Sequence, residues 1–176
     1  MEIVTISDTN IFIDLIGIGL LDTFFSLPWE FHTTDMIIHE LKEPVQRRKV
    51  VAYQHKNVLR VKKFDGKELS NLIAFHAKMC NKTNVSIQDC SVWLYAQDNR
   101  YMLLTGDSKL KNAATRSGVD VHGILFVFDK LVENQLLTKE QATTKLKDLI
   151  LLNPRLPQTD VLKRLQYWAR NEKDDG

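Results

Sequence analysis

Two short apolar runs, residues 3–7 and 101–105, each stop abruptly at acid: the first at Asp8, the second at Gly106-Asp107. The second, Tyr-Met-Leu-Leu-Thr, has the unbroken apolar character of a strand covered on both faces of a parallel sheet. Parallel strands require helical crossovers between them, so this feature narrows the chain to α/β architectures. The segments between the runs carry helical periodicity.

Apolar residues recur at Ile11, Leu15, Ile18, Leu21 and Phe24/Phe25, which predicts two short helices meeting near Gly17 and Gly19, with Pro28 closing the segment. Residues 30–34 read as a second strand, and Asp35 as the N-cap of a helix running through Glu40 and Leu41. Beyond Pro44 come a helix at 46–54, a short edge strand at 58–64, a helix at 67–80 and a polar loop at 81–85. Ser86-Ile87-Gln88-Asp89 has the S-x-x-D form of a capping box and opens a helix with Val92, Trp93 and Ala96 on one face. After Asp107 a helix is expected to Arg116, with Gly118 as its stop signal and a short strand at 119–121. Three further helices are expected, at 124–134, 138–152 (capped by Thr138 and Gln141) and 159–170, the last with Leu162, Leu165 and Trp168 as its apolar stripe. Strands alternating with helices predict a three-layer α/β/α sandwich around a mainly parallel sheet, with extra C-terminal helices.

Composition closes off other classes. A chain of 176 residues favours one domain, and 44% hydrophobic against 26% charged residues supports a buried core and argues against disorder. The net charge of +2 does not by itself announce nucleic-acid binding, so any basic footprint must be local. Candidates are Arg47, Arg48, Lys49, Lys56, Arg60, Lys62 and Lys63, for which a solvated face is the plain alternative, and Lys109, Lys111 and Arg116 behind Asp107. Cys80 and Cys90 fit neither a disulfide scaffold nor a zinc ribbon. Glu2 stands where a signal peptide wants a basic residue, and no apolar run approaches the roughly 18 residues of a membrane span, so a cytoplasmic protein without membrane contact is expected.

Ligands of open α/β sheets bind beyond the carboxyl ends of the strands. Asp8 and Asp107 follow strands there, Glu40 lies on the helix after the second strand, and Asp89 sits in an opening helical turn. If the four meet, each pair about 5 Å apart repels by roughly 3 kcal/mol at an effective dielectric near 20, so the cluster calls for a cation. An all-oxygen donor set selects Mg²⁺ or Mn²⁺ over zinc. Such an ion polarises a phosphoryl oxygen and activates water, which suggests phosphodiester hydrolysis.

The order Ser7-Asp8-Thr9-Asn10, Glu40 in a short helix, Asp89 in Ser-Ile-Gln-Asp-Cys, and Leu104-Thr105-Gly106-Asp107-Ser108-Lys109-Leu110 resembles the PIN-domain nucleases, as does the closing stretch Gly118 to Gly123. The resemblance implies a PIN-like nuclease domain over residues 1–137, with residues 138–176 as a helical extension packed on the same domain. It implies that Asp8, Glu40, Asp89 and Asp107 bind one or two Mg²⁺ or Mn²⁺ ions and that Asn10 and Thr105, with Ser108, orient them; Lys109, Lys111 and Arg116, which follow Asp107 on one helix, are placed to touch the substrate backbone. The activity implied is endoribonuclease cleavage of RNA by metal-activated water, in a homodimer, as the toxin of a toxin–antitoxin pair held inactive by an antitoxin protein. The long C-terminal part departs from compact toxins of the family and bears on the toxin role more than on the nuclease role.

Other readings rank lower. A PIN-like module that binds RNA or protein without cutting would not need the complete acid set. A receiver-type phosphoacceptor domain would need adjacent acids after the first strand, which are absent. Gly17-Ile18-Gly19 fails as a dinucleotide motif because Asp22 stands where the third glycine belongs.

Overall fold

The computed structural model describes residues 3–170. Its sheet has five strands: β1 (Ile3–Ser7), β2 (Trp29–Thr34), β3 (Leu59–Lys62), β4 (Met102–Leu104) and β5 (Val121–His122). They lie in the order β3-β2-β1-β4-β5, and every pairing is parallel. The expected α/β class therefore holds, with a wholly parallel sheet flanked by helices and further helices at the C-terminal end. β1 stands at the centre, and the chain passes to β2 on one side of it before returning to β4 on the other. That reversal is a topological switch point, where adjacent crossovers diverge and leave a crevice beyond the strand ends. Ser7 is in register with Leu104, so the residues following β1 and β4 emerge side by side at that point.

Two compact units partition the chain. The first takes the residues up to Ile13 together with Pro28–Gly123 and so contains the whole sheet. Its helices include α3 (Asp35–Glu40), α4 (Pro44–His55), α5 (Gly66–Thr83), α6 (Ile87–Asn99) and α7 (Ser108–Arg116), along with the opening of α1 (Thr9–Gly17). Ile6, Leu103 and Leu104 are fully buried because both faces of these strands are covered. Trp93 packs edge-on against Phe75 at 5.0 Å and donates its indole N–H to Ser117 Oγ at 2.9 Å.

The second unit joins Asp14–Leu27, with α2 (Leu21–Phe24), to the chain from Ile124 onward, with α8 (Ile124–Glu133), α9 (Lys139–Leu152) and α10 (Gln158–Arg170). Trp168 of α10 is 2% exposed and lies 6.3 Å from the Phe128 ring of α8. Arg164 grips Asp129 with two hydrogen bonds, of 2.8 and 2.5 Å. Lys145 donates to the Ile18 carbonyl, just past the end of α1, at 2.7 Å.

Two helix starts carry the full capping boxes expected, at Ser86/Asp89 and Thr138/Gln141. Four local readings are corrected. Thr34, not Asp35, caps α3, because its extended backbone lets the hydroxyl accept from Ile37 N–H. Residues 81–83 continue α5, whose turn comes at Asn84 in the left-handed conformation. The last strand begins only at Val121. In α10 the buried positions are Val161 and Trp168, while Leu162 is 55% exposed: the helix is rotated from the stripe expected.

Candidate active site

Asp8 is the first residue beyond β1, and its backbone N–H donates to the Leu104 carbonyl at 3.0 Å, tying it to β4. Its carboxylate accepts from Ile11 N–H at 3.2 Å, which caps α1, and from the Thr105 hydroxyl. Thr105, just past β4, also accepts from the Asp107 N–H at 2.9 Å. One buried hydroxyl thus links the Asp8 carboxylate to the backbone of Asp107. The Asp107 carboxylate accepts from Lys109 and Leu110 N–H at 2.7 and 2.8 Å, so it caps α7.

The other two acids reach this end of the sheet from helices. Asp89 is half-buried and accepts from the Ser86 N–H and hydroxyl at 3.0 and 2.9 Å, and its charge acts on Asp8. Glu40, the last residue of α3, accepts from the Thr9 hydroxyl, the residue beside Asp8. Asn10 hydrogen-bonds Asp8 and helps to hold it charged. A Cβ at Gly106 would come within 3.1 Å of the Asn10 Cβ, a close approach that explains the glycine between Thr105 and Asp107.

Asp8 is 1% exposed, and burial pushes its pKa up to about 7; the Asp89 charge adds to the rise, while Thr105, Ile11 N–H and Asn10 oppose it. The consequence for stability has a definite sign. Below about pH 4 the carboxyl is protonated in folded and unfolded chains alike and costs nothing. Between there and pH 7 the unfolded chain ionises freely while the folded one holds its proton, so stability falls across that window. Thr105→Val removes a hydroxyl that favours the charged form and should extend this loss to higher pH. The check is melting temperature against pH; a profile of unchanged shape would show that Thr105 does not hold the carboxylate.

Among the described residues, no group of three or more His, Cys, Asp or Glu side chains stands together as a metal-holding cluster. The arrangement is instead an interacting pair, Asp8 with Asp89, and two acids, Glu40 and Asp107, tied to neighbours of that pair. This donor set still fits a hard cation. Mg²⁺ is commonly held by one or two carboxylates with waters and substrate phosphates completing its shell, and a buried carboxyl with a raised pKa beside a second acid, as Asp8 is beside Asp89, gains most from positive charge.

Ser108 is exposed and opens α7, and Lys109, Lys111 and Arg116 of the same helix are exposed. Much of the other basic run has local duties: Arg47 Nε donates to the Leu41 carbonyl at 3.0 Å, Arg60 pairs with Glu30 at 2.5 Å and Lys62 with Glu68 at 2.5 Å. Sequence reasoning overlooked Thr9, whose partner lies 31 positions away, and the packing need at Gly106; only the adjacency of both to aspartates hinted at them.

A family model described as PIN domain matches residues 4–169, nearly the whole chain. Among solved structures, the fold is similar to that of PAE2754 from Pyrobaculum aerophilum, with a TM-score of 0.52 and 15% identity over 76% of this chain and 99% of that one. No protein of curated function matches it.

Proposed function

Because the chain belongs to the PIN-domain family, whose members are generally nucleases, we propose that it is an endoribonuclease dependent on Mg²⁺ or Mn²⁺. The observation that carries this reading is the buried Asp8, held by Thr105 and acted on by the Asp89 charge at the sheet's switch point, with its pKa raised to about 7. Asp8 and Asp89 would hold the cation, with Glu40 and Asp107 contributing from either side. When bound, the ion would polarise a phosphoryl oxygen and favour ionisation of the attacking water. Thr105 and Asn10 hold Asp8 in place and favour its charged form against the effect of burial. Ser108 would join Thr105 and Asn10 in orienting the acids, and Lys109, Lys111 and Arg116 of α7 would hold the RNA phosphates by charge.

A toxin held by an antitoxin protein, acting as a homodimer in the cytoplasm, remains part of this proposal. No described helix is long and apolar enough to cross a membrane. A short neighbouring gene encoding a DNA-binding N-terminus and a disordered tail would support the toxin role. The direct test is cleavage of single-stranded and structured RNA with Mg²⁺, with Mn²⁺ and with EDTA. Cleavage that requires the metal and stops with EDTA is expected. RNA binding without cutting under all three conditions would favour the alternative, a non-cleaving PIN-like binding module.

A further inference from the structure

We infer that Thr9 is the positioning residue for Glu40, an inference that rests on the metal-dependent site proposed above. Thr9 is 7% exposed at the start of α1, and its hydroxyl donates to Glu40 Oε2 across 31 positions of sequence. The donor is held still on two counts. Asp8 caps the first turn of α1 through Ile11 N–H, and a β-branched side chain has few χ1 rotamers. Glu40 has no such support from its own element: it is the last residue of α3, half-buried, with a long side chain of high rotamer entropy. The threonine hydroxyl supplies the missing order. Thr105 does the same for Asp8, so the acids following β1 and ending α3 are each oriented by a threonine.

A tether that merely joined α1 to α3 would be felt in metal-free stability and would leave cation binding alone. The experiment therefore follows melting temperature against Mg²⁺ concentration, together with RNA cleavage, for the wild type, Thr9→Val, Thr9→Ser, Asp8→Asn, Glu40→Gln and Thr9→Val/Glu40→Gln. Thr9→Val should raise the Mg²⁺ concentration for half-maximal stabilisation by about tenfold and slow cleavage to a similar extent. Thr9→Ser, which keeps the hydroxyl, should restore both. Adding Thr9→Val to Glu40→Gln should cost nothing more, because the two act through one carboxylate. Thr9→Ala carries the same expectation should the valine variant fail to fold. If Thr9→Val matches the wild type in Mg²⁺ response and rate while Asp8→Asn abolishes both, the inference is wrong and the site stands. If the wild type shows no response to Mg²⁺, both fall.

Discussion

Asp8→Asn should remove RNA cleavage, by roughly 100-fold or more, and at the same time make the metal-free protein more stable above pH 7. Both effects have one cause. The carboxylate is 1% exposed, and the fold tolerates its charge poorly, as the pKa of about 7 records. Measured from the ordinary value of 3.8, that shift corresponds to roughly 4 kcal/mol of stability forgone once both states are ionised. Asparagine keeps the shape and one acceptor oxygen but carries no charge, so part of that loss should be recovered at pH 8 and almost none at pH 4. Losses at outer residues of metal sites run to about 10–100-fold, and a direct ligand should lie at or beyond the top of that range. Melting temperatures at pH 4 and pH 8 in EDTA, beside cleavage rates with Mg²⁺, provide the check. A variant that cuts RNA at the wild-type rate would remove Asp8 from the site. One less stable than the wild type at pH 8 would mean that the buried charge was already compensated.

Divalent cations should show the same linkage from the other direction. An ion that binds only the charged form of Asp8 stabilises the protein most above pH 7 and releases protons as it binds below that pH.

Trp168→Ala should be the most damaging single change in the C-terminal helices. The indole is 2% exposed and packs on Phe128, and α10 is further held by the Arg164–Asp129 pair. Truncating a buried tryptophan costs about 3–5 kcal/mol through lost burial and the cavity left behind. In a chain of this size each kcal/mol moves the melting temperature by about 2–4 °C, so a fall of order 10 °C is expected. Leu162→Ala on the same helix provides the contrast, because Leu162 is 55% exposed and its loss should cost under about 0.5 kcal/mol. Thermal melts of the two variants decide the matter; equal effects would mean that the helix docks by a different face.

The features legible in the residue order are those that local chemistry enforces. Unbroken apolar runs specify buried parallel strands, and serine, threonine or aspartate before an apolar stretch specifies a helix start, so β1, β4 and the starts of α6, α7 and α9 were legible. So were the acids that can stand at the strand ends, because an acid just past a strand has nowhere else to be. Tertiary structure decided which of them meet. The strand order sets β4 against β1 and brings Thr105 to Asp8 across 97 positions, and the packing around that pair raises the Asp8 pKa. It also decided that Thr9 holds Glu40 and that α10 buries Trp168 and exposes Leu162. Periodicity and capping depend on neighbours a few residues apart, whereas pairing and burial are cooperative properties of distant segments, and no stretch of sequence read alone contains its partner.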